Sequence, residues 1–475
     1  MNLLQNYYKY ILLLILAVIT IYNLSFQVSL ETNKSGQYDE QMWTGASITS
    51  YEMFFNDYNR EGVVPERWFR TFAQRNNYNL QKMPYDELQW FDDALWTFGW
   101  KAPNIAKYLM GFAIVNFGDN VDPDGYFYKF SQNRDENKWP GNFAPEEFVL
   151  IARTTNAVLT FITIVVIVIT GWLFFNYWVG FIAGFYLALN ENFIRVSSAA
   201  GVDGASIMFS ALVVLFSFFF IKHLYNSDNR KQILIFGSLI GISFPLAVGS
   251  KLSAALNGYV FVIFIVIATF YFIKQTNSKD KKRKALTAAI DLRKNYLTNL
   301  AISAIVILSL TYIIFVYSNP VLYDSAILKM RMINDSVKEF FDIRANAKGS
   351  TELNESWLIG LWYVIKRNLI VLEENYYATF GILLNFKFNL LDGLFFGSGI
   401  WALAKRSFTK IKNNLKADFE LFLLIWMLVY LWGISDFLWA DFRRYYMQLY
   451  PGFAIIIGIG IVEIINQIKT KVEKK

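Results

Sequence analysis

The stretch FVLIARTTNAVLTFITIVVIVITGW, residues 148–172, decides the fold class of this chain. Its 25 positions contain one charged residue, Arg153. An α-helix rises about 1.5 Å per residue, so a stretch of this length can cross the roughly 30 Å of hydrocarbon in a bilayer. The stretch therefore predicts a helix that spans a membrane.

Comparable apolar runs recur along all 475 residues, of which 55% are hydrophobic and 18% aromatic. Soluble globular proteins are usually about 45–50% apolar. The other predicted spans are residues 10–30, 178–196, 204–222, 233–249, 252–273, 298–318, 388–404, 419–435 and 446–467. The sequence thus predicts an all-α polytopic membrane protein with about ten transmembrane helices. The first run is too long for a signal-peptide core and no small-residue cleavage site follows it, which favours a retained signal-anchor helix.

Lysine and arginine residues indicate how the chain is oriented. The run KDKKRK, residues 279–284, and the basic C-terminal tail fall on the same side of the predicted bundle. Because cytoplasmic loops carry an excess of Lys and Arg, this distribution places both termini in the cytoplasm. The net charge of +7 is then a sign of membrane orientation and not of nucleic-acid binding. The predicted location is the cell (cytoplasmic or inner) membrane, with multiple passes.

Two large segments, 31–147 and 319–387, then face the extracytoplasmic side. Both contain aromatic amphipathic stretches, which are typical of helices that lie in the membrane interface. Examples are ITSYEMFFNDY (48–58), DELQWFDDALWTFGW (86–100) and the charge-interrupted stretch 357–386. The predicted organisation is an N-terminal transmembrane helix (1–30), a first loop (31–147), helices two to seven (148–318), a loop with re-entrant or interfacial helices (319–387), and helices eight to ten with a basic tail (388–475).

The residue inventory restricts the chemistry. Cysteine is absent and His223 is the single histidine, which excludes disulfides, cysteine nucleophiles, histidine triads and multi-histidine metal sites. Acid–base chemistry must then use Asp, Glu, Lys or Tyr. The adjacent carboxylates Asp39 and Glu40, in SGQYDEQMW (35–43), lie just outside the first predicted helix. Taken alone such a pair is usually only solvated.

Further ionisable residues fall at the predicted extracytoplasmic ends of several helices. Ionisable side chains at membrane depth are costly and usually face a cavity or a partner. Arg153 could instead extend to the interface, and Asp203 could be a helix N-cap. Arg443 and Arg444 could be interfacial anchors or an anion site. Lys251 opens a helix whose dipole disfavours a cation, which makes an accidental position less natural.

Six motifs in order resemble a known family. They are YDEQMW (38–43), WKAPNIAKYLMG (100–111), ARTTNAVLTFITIVV (152–166), RVSSAAGVDGAS (195–206), IGISFPLAVGSK (240–251) and RRYYMQLYP (443–451). Together they resemble the membrane glycosyltransferases of the GT-C fold. The closest likeness is to the branch of protein O-mannosyltransferases and aminoarabinose transferases (families 39 and 83), which use polyprenyl-phosphate sugars. The second motif lacks one proline and the histidine of the family pattern, so the resemblance does not identify the acceptor.

The resemblance implies an inverting transfer of a hexose or pentose from a polyprenyl-phosphate donor to a hydroxyl of a protein, lipid or envelope glycan. It implies Asp39 as the base and Glu40 as its neighbour for acceptor positioning. It also implies a substrate and phosphate site formed by Lys107, Arg153, Asp203, Lys251, Arg443 and Arg444. A carboxylate suits the base, and arginine suits the departing phosphate.

Two questions stay open at this point. The motifs define no metal site, yet the carboxylates could hold Mg²⁺ or Mn²⁺. A transporter or flippase for a lipid-linked substrate would also place charges at membrane depth, but such proteins usually show paired repeats and broken helices, and this sequence shows neither. A structural subunit without chemistry is the third alternative.

Overall fold

The computed structural model describes residues 2–30, 40–56, 104–122, 143–225, 230–278, 283–319, 327, 357–366, 389–414, 417–437, 444 and 446–473. The α-helices, numbered along the chain, are α1 Asn2–Ser29, α2 Glu40–Phe55, α3 Ile105–Phe117, α4 Glu146–Phe174, α5 Tyr177–Leu189, α6 Glu191–Ser198, α7 Asp203–Leu224, α8 Arg230–Val248, α9 Leu256–Ser278, α10 Arg283–Tyr317, α11 Trp357–Ile365, α12 Asn389–Asn414, α13 Phe419–Phe437 and α14 Tyr450–Glu473. Short 3₁₀ turns at Leu252–Ala255 and Met447–Leu449 precede α9 and α14. Every element of the described residues is helical, which confirms the all-α prediction.

Seven helices in the described part of the chain are long and apolar enough to cross a membrane. They are Tyr7–Ser29, Glu146–Phe174, Asp203–Leu224, Arg230–Val248, Leu252–Thr276, Asp291–Tyr317 and Met447–Glu473. The count of ten is therefore not confirmed, although a multi-pass membrane protein is. α5 has 13 residues, about 20 Å at 1.5 Å per residue, which is shorter than the hydrocarbon core. The apolar part of α13 is also short, and α12 carries Asp392 in its first turn.

The predicted helix over residues 178–196 is divided in two by Asn190. The Asn190 side chain accepts a hydrogen bond from the backbone N–H of Phe193, and its own N–H bonds the carbonyl oxygen of Leu187. Asparagine is among the preferred N-cap residues, because its side chain replaces a missing backbone partner. The cap ends α5 and starts α6 as a separate helix. From α1, Asn23 donates through Nδ2 to the carbonyl oxygen of Ala188 at the same break.

Glycine positions bring the central helices into close contact. α14 is buried throughout Tyr450–Gly460. A Cβ built on Gly458 would lie 2.7 Å from the carbonyl oxygen of Val179 in α5. A Cβ on Gly460 would lie 1.9 Å from that of Phe395 in α12. Small residues of this kind let helix backbones approach closely inside a membrane, so α14 occupies the centre of the bundle.

The helices of the first predicted loop pack onto this bundle. α2 and α3 cross at Gly111, where an added Cβ would lie 2.3 Å from the carbonyl oxygen of Ser47. Trp43 of α2 and Ala106 of α3 then join Val202 in one buried apolar cluster. α2 and α3 are thereby held against the start of α7. The predicted helix over 86–100, and the stretch 367–386, lie outside the described residues.

Candidate active site

Glu40, the first residue of α2, forms a buried ion pair with Arg153 of α4. Arg153 Nη2 lies 2.5 Å from Glu40 Oε2, and Arg153 Nε lies 2.7 Å from Glu40 Oε1. Both side chains are only 2% exposed. The planar guanidinium therefore donates two parallel hydrogen bonds to the carboxylate, the geometry in which an arginine–carboxylate pair is strongest. The sequence alternative in which Arg153 extends to the interface is wrong, because the guanidinium is buried and paired.

Arg153 also holds the end of α1. Its Nη1 donates to the carbonyl oxygen of Leu30 and, at 3.4 Å, to that of Val28. The half-exposed carboxylate of Glu146 lies 3.7 Å from the same nitrogen. The last carbonyl groups of a helix lack intrahelical partners and carry partial negative charge, so a cation stabilises them. One guanidinium thus ties together α1, α2 and α4.

A turn at residues 199–202, between α6 and α7, leads from this ion pair to a second one. The backbone N–H of Ala200 donates to Oε1 of the same buried carboxylate, over 2.9 Å. Asn156 of α4 donates through Nδ2 to the carbonyl oxygens of Ala199, over 2.6 Å, and Gly201, over 2.9 Å. The turn is therefore fixed from two sides, which sets the start of α7.

The second ion pair joins Asp203, the first residue of α7, to Lys251, which follows α8. Lys251 Nζ lies 2.6 Å from Asp203 Oδ1 and 3.1 Å from the carbonyl oxygen of Arg444. A carboxylate in the first turn of a helix is favoured by the helix dipole. Lys251 therefore has both a carboxylate and a carbonyl oxygen as partners. These partners offset the unfavourable position of a cation at the start of a helix. The Asp203 side chain pairs with Lys251, and Val202 occupies the N-cap position.

A buried polar link lies directly behind this second pair. Gln448, in the 3₁₀ turn before α14, donates through Nε2 to Ser206 Oγ over 2.8 Å. Ser206 Oγ in turn donates to the carbonyl oxygen of Ala247 over 3.4 Å. Both side chains are at most 2% exposed. The segment that carries Arg444 is therefore attached to α7 and α8.

Lys107 of α3 is fully buried on the same side of the molecule. Its Nζ lies 5.9 Å from the centre of the Trp43 ring, within range of a cation–π contact. Burial lowers the pKa of Lys107 well below its ordinary value. Because the N–H of Ile105 bonds the carbonyl oxygen of Gly249 over 2.8 Å, the start of α3 adjoins the α8–α9 connection. Lys107 thus belongs to the same cluster of helix ends.

The structure brings together five of the eight residues predicted for the site at one end of the bundle: Glu40, Lys107, Arg153, Asp203 and Lys251. Arg444 contributes its backbone carbonyl. Asp39 and Arg443 lie outside the described residues. The residues predicted from the sequence did not include Asn156, Ser206 or Gln448. Asn156 could have been predicted, because it is an amide one turn after Arg153 in an apolar helix.

Comparison with solved structures defines the fold. The oligosaccharyltransferase AglB from Archaeoglobus fulgidus, in complex with an inhibitory peptide and a dolichol-phosphate, aligns with 99% of this chain and 52% of its own, at 12% identity and a TM-score of 0.50. The chain has the GT-C fold. ArnT from Cupriavidus metallidurans aligns with 88% of this chain and 57% of its own, at 13% identity and a TM-score of 0.42. No family model and no curated protein matches the sequence.

The chain spans about half the length of these solved structures. Within its GT-C bundle, the described site contains two carboxylates that are neutralised by the buried Arg153 and the partly buried Lys251, together with the buried Lys107. Such an arrangement can fix the helix ends rigidly and hold charged groups in fixed positions. Charges fixed in advance at a water-poor site stabilise developing charge more strongly than water does.

Proposed function

We propose that this protein is a membrane glycosyltransferase. It moves a sugar from a polyprenyl-phosphate donor to a hydroxyl acceptor, with inversion, on the predicted extracytoplasmic side. The observation that carries the proposal is the convergence of two ion pairs at one end of a GT-C bundle, the buried pair Glu40–Arg153 and the partly buried pair Asp203–Lys251. AglB, which has the same fold, was solved with a dolichol-phosphate and a peptide. A lipid phosphate as donor and a peptide or glycan as acceptor fit that likeness.

Asp39 is the proposed base. The acceptor oxygen forms a bond to the anomeric carbon as the bond from that carbon to the phosphate oxygen breaks. The acceptor proton passes to the Asp39 carboxylate, and the polyprenyl phosphate leaves as an anion. Such a leaving group needs no strong general acid, so a single base is sufficient.

Glu40 acts in this proposal by fixing the start of α2. It therefore also positions Asp39, which directly precedes it in the chain. Its two carboxylate oxygens face Arg153 and Oε1 also accepts from Ala200. These contacts favour a positioning role over direct contact with the acceptor. They also make Glu40 a poor ligand for Mg²⁺ or Mn²⁺, because a permanent cation already occupies both of its oxygens.

The departing phosphate is proposed to bind Lys251, Lys107 and the arginines Arg443 and Arg444. The Asp203 carboxylate and the carbonyl oxygen of Arg444 hold the Lys251 ammonium at this end of the bundle, and its positive charge attracts the phosphate. Arg444→Ala is expected to weaken donor binding by about 2–5 kcal/mol when the contact is desolvated. Arg444→Lys is expected to restore only part of this, because lysine lacks the bidentate fork.

The test is sugar transfer from a synthetic short-chain prenyl-phosphate donor by the purified full-length protein. Asp39→Asn keeps the size of the side chain but not its capacity to accept a proton, so turnover is expected to fall by about 10²- to 10⁴-fold. Donor binding, measured on the same sample, is expected to persist. Asp119→Asn, at an exposed position in the same predicted loop, is the matched control and is expected to keep normal turnover. Normal turnover in Asp39→Asn would end the assignment of the base.

A further inference from the structure

Gln448 is a buried amide that the proposed reaction does not use. Its side chain lies between α7 and the 3₁₀ turn Met447–Leu449 and is 2% exposed. Nε2 donates to Ser206, but Oε1 has no hydrogen-bond donor among the described residues. The opposite amide orientation would leave the nitrogen unpaired instead. A buried polar atom without a partner costs free energy that an apolar side chain of the same size would avoid.

The contacts around Gln448 form a closed ring. Ser206 lies one turn after Asp203 on α7, so the amide attaches residue 448 to the same helix turn that carries the carboxylate. At the other end of the segment, the carbonyl oxygen of Arg444 accepts from Lys251, which is paired with Asp203. The chain from 444 to 448 is therefore fixed to the start of α7 at both ends.

We infer that Gln448 is a positioning residue for the donor phosphate, which holds the Arg444 segment at a fixed distance from Lys251. The inference rests on the proposed function, because it takes Lys251 and Arg444 as the phosphate site. Lys251 Nζ then lies between the Asp203 carboxylate and the carbonyl oxygen of Arg444. The Gln448–Ser206 hydrogen bond fixes the separation of those two groups. Loss of that bond frees one end of the segment, so Lys251 and Arg444 are no longer held in fixed relative positions at the phosphate. Contacts to the prenyl chain do not involve this bond and are expected to persist.

The experiment compares binding of farnesyl phosphate and of farnesol to the purified full-length protein. The two probes share the prenyl chain and differ in the phosphate. Gln448→Met preserves side-chain length and removes both amide groups. It is expected to weaken farnesyl phosphate binding about 3- to 10-fold, the loss of one buried hydrogen bond, and to leave farnesol binding unchanged. Gln467→Met, at an exposed position on α14, is the matched control.

A double-mutant cycle with Ser206→Ala identifies the bond itself. If Gln448 acts through Ser206, the double variant is expected to bind farnesyl phosphate no more weakly than either single variant, because the two residues form one link. Ser217→Ala, another buried serine of α7, should have no phosphate-specific effect. If Gln448→Met does not fold, Ser206→Ala alone provides the comparison of the two probes.

Three outcomes decide the matter. A phosphate-specific, non-additive loss supports the inference. Equal weakening of both probes, or no weakening in Gln448→Met and Ser206→Ala, overturns it while leaving the proposed function intact. A wild-type protein that binds farnesyl phosphate no better than farnesol would instead remove the proposed phosphate site, and the inference with it.

Discussion

In the ion pair of Arg153 and Glu40, each buried charge depends on the other. Removing water from a guanidinium and a carboxylate is expensive, and only close geometry and added hydrogen bonds offset that cost. Here Arg153 meets both carboxylate oxygens and the end of α1, and the Ala200 N–H completes the Glu40 side. The pair therefore makes each residue necessary for the burial of the other.

We expect Arg153→Met to lower the free energy of unfolding by about 3–5 kcal/mol, because it leaves the Glu40 carboxylate buried without its counter-charge. Arg406→Met is the matched control. Arg406 pairs with Glu463 over 2.9 Å, but its side chain is 39% exposed, so the loss there should stay within about 1 kcal/mol. Unfolding followed by tryptophan fluorescence in detergent gives both values. Equal losses in the two variants would show that burial does not govern the strength of the Arg153 pair.

At the scale of elements, the crossing of α2 and α3 controls where the first-loop helices sit. Gly111→Ala would place a Cβ 2.3 Å from the Ser47 carbonyl oxygen and 2.5 Å from Tyr51 Cβ. We expect it to separate the two helices, to lower the melting temperature and to reduce sugar transfer, because Lys107 lies one turn away on α3. Gly397→Ala in α12 meets nothing within 4 Å. That control should be neutral or stabilising by up to about 1 kcal/mol, from helix propensity alone. An unchanged melting temperature in Gly111→Ala would argue against the close crossing.

The elements also show what the sequence could and could not predict. Hydropathy located the long spans. The cost of ionisable groups at membrane depth drew attention to Arg153, Asp203 and Lys251, which the structure brings together in ion pairs. Which carboxylate each cation meets was not readable, because the pairing depends on the packing of helices whose paired residues are 48 and 113 positions apart in the sequence. The break at Asn190 was readable in principle, since Asn-Glu-Asn is a capping sequence, but the apolar run on either side concealed it.

For the whole molecule, the predicted orientation requires the end with the ion pairs to face away from the cytoplasm. The chain contains no cysteine, so a single introduced thiol reports its own side. With an impermeant maleimide on intact cells, we expect labelling of Ser35→Cys, between α1 and α2. We expect none for Ser278→Cys, at the end of α9, until the cells are opened. Labelling of Ser278→Cys from outside would reverse the orientation and place the proposed donor site in the cytoplasm.

The distance along the chain between Glu40 and Arg153 has a consequence for biosynthesis. The two residues are 113 positions apart, so at about 5–20 residues per second the ribosome finishes the arginine about 6–23 s after the glutamate. Throughout that interval the glutamate has no guanidinium to neutralise it, and water must solvate it. We therefore expect nascent chains arrested before residue 153 to leave α2 open to added protease. Chains arrested well beyond α7 should protect it, because by then Arg153 and Ala200, the residues that contact Glu40, have both left the ribosome.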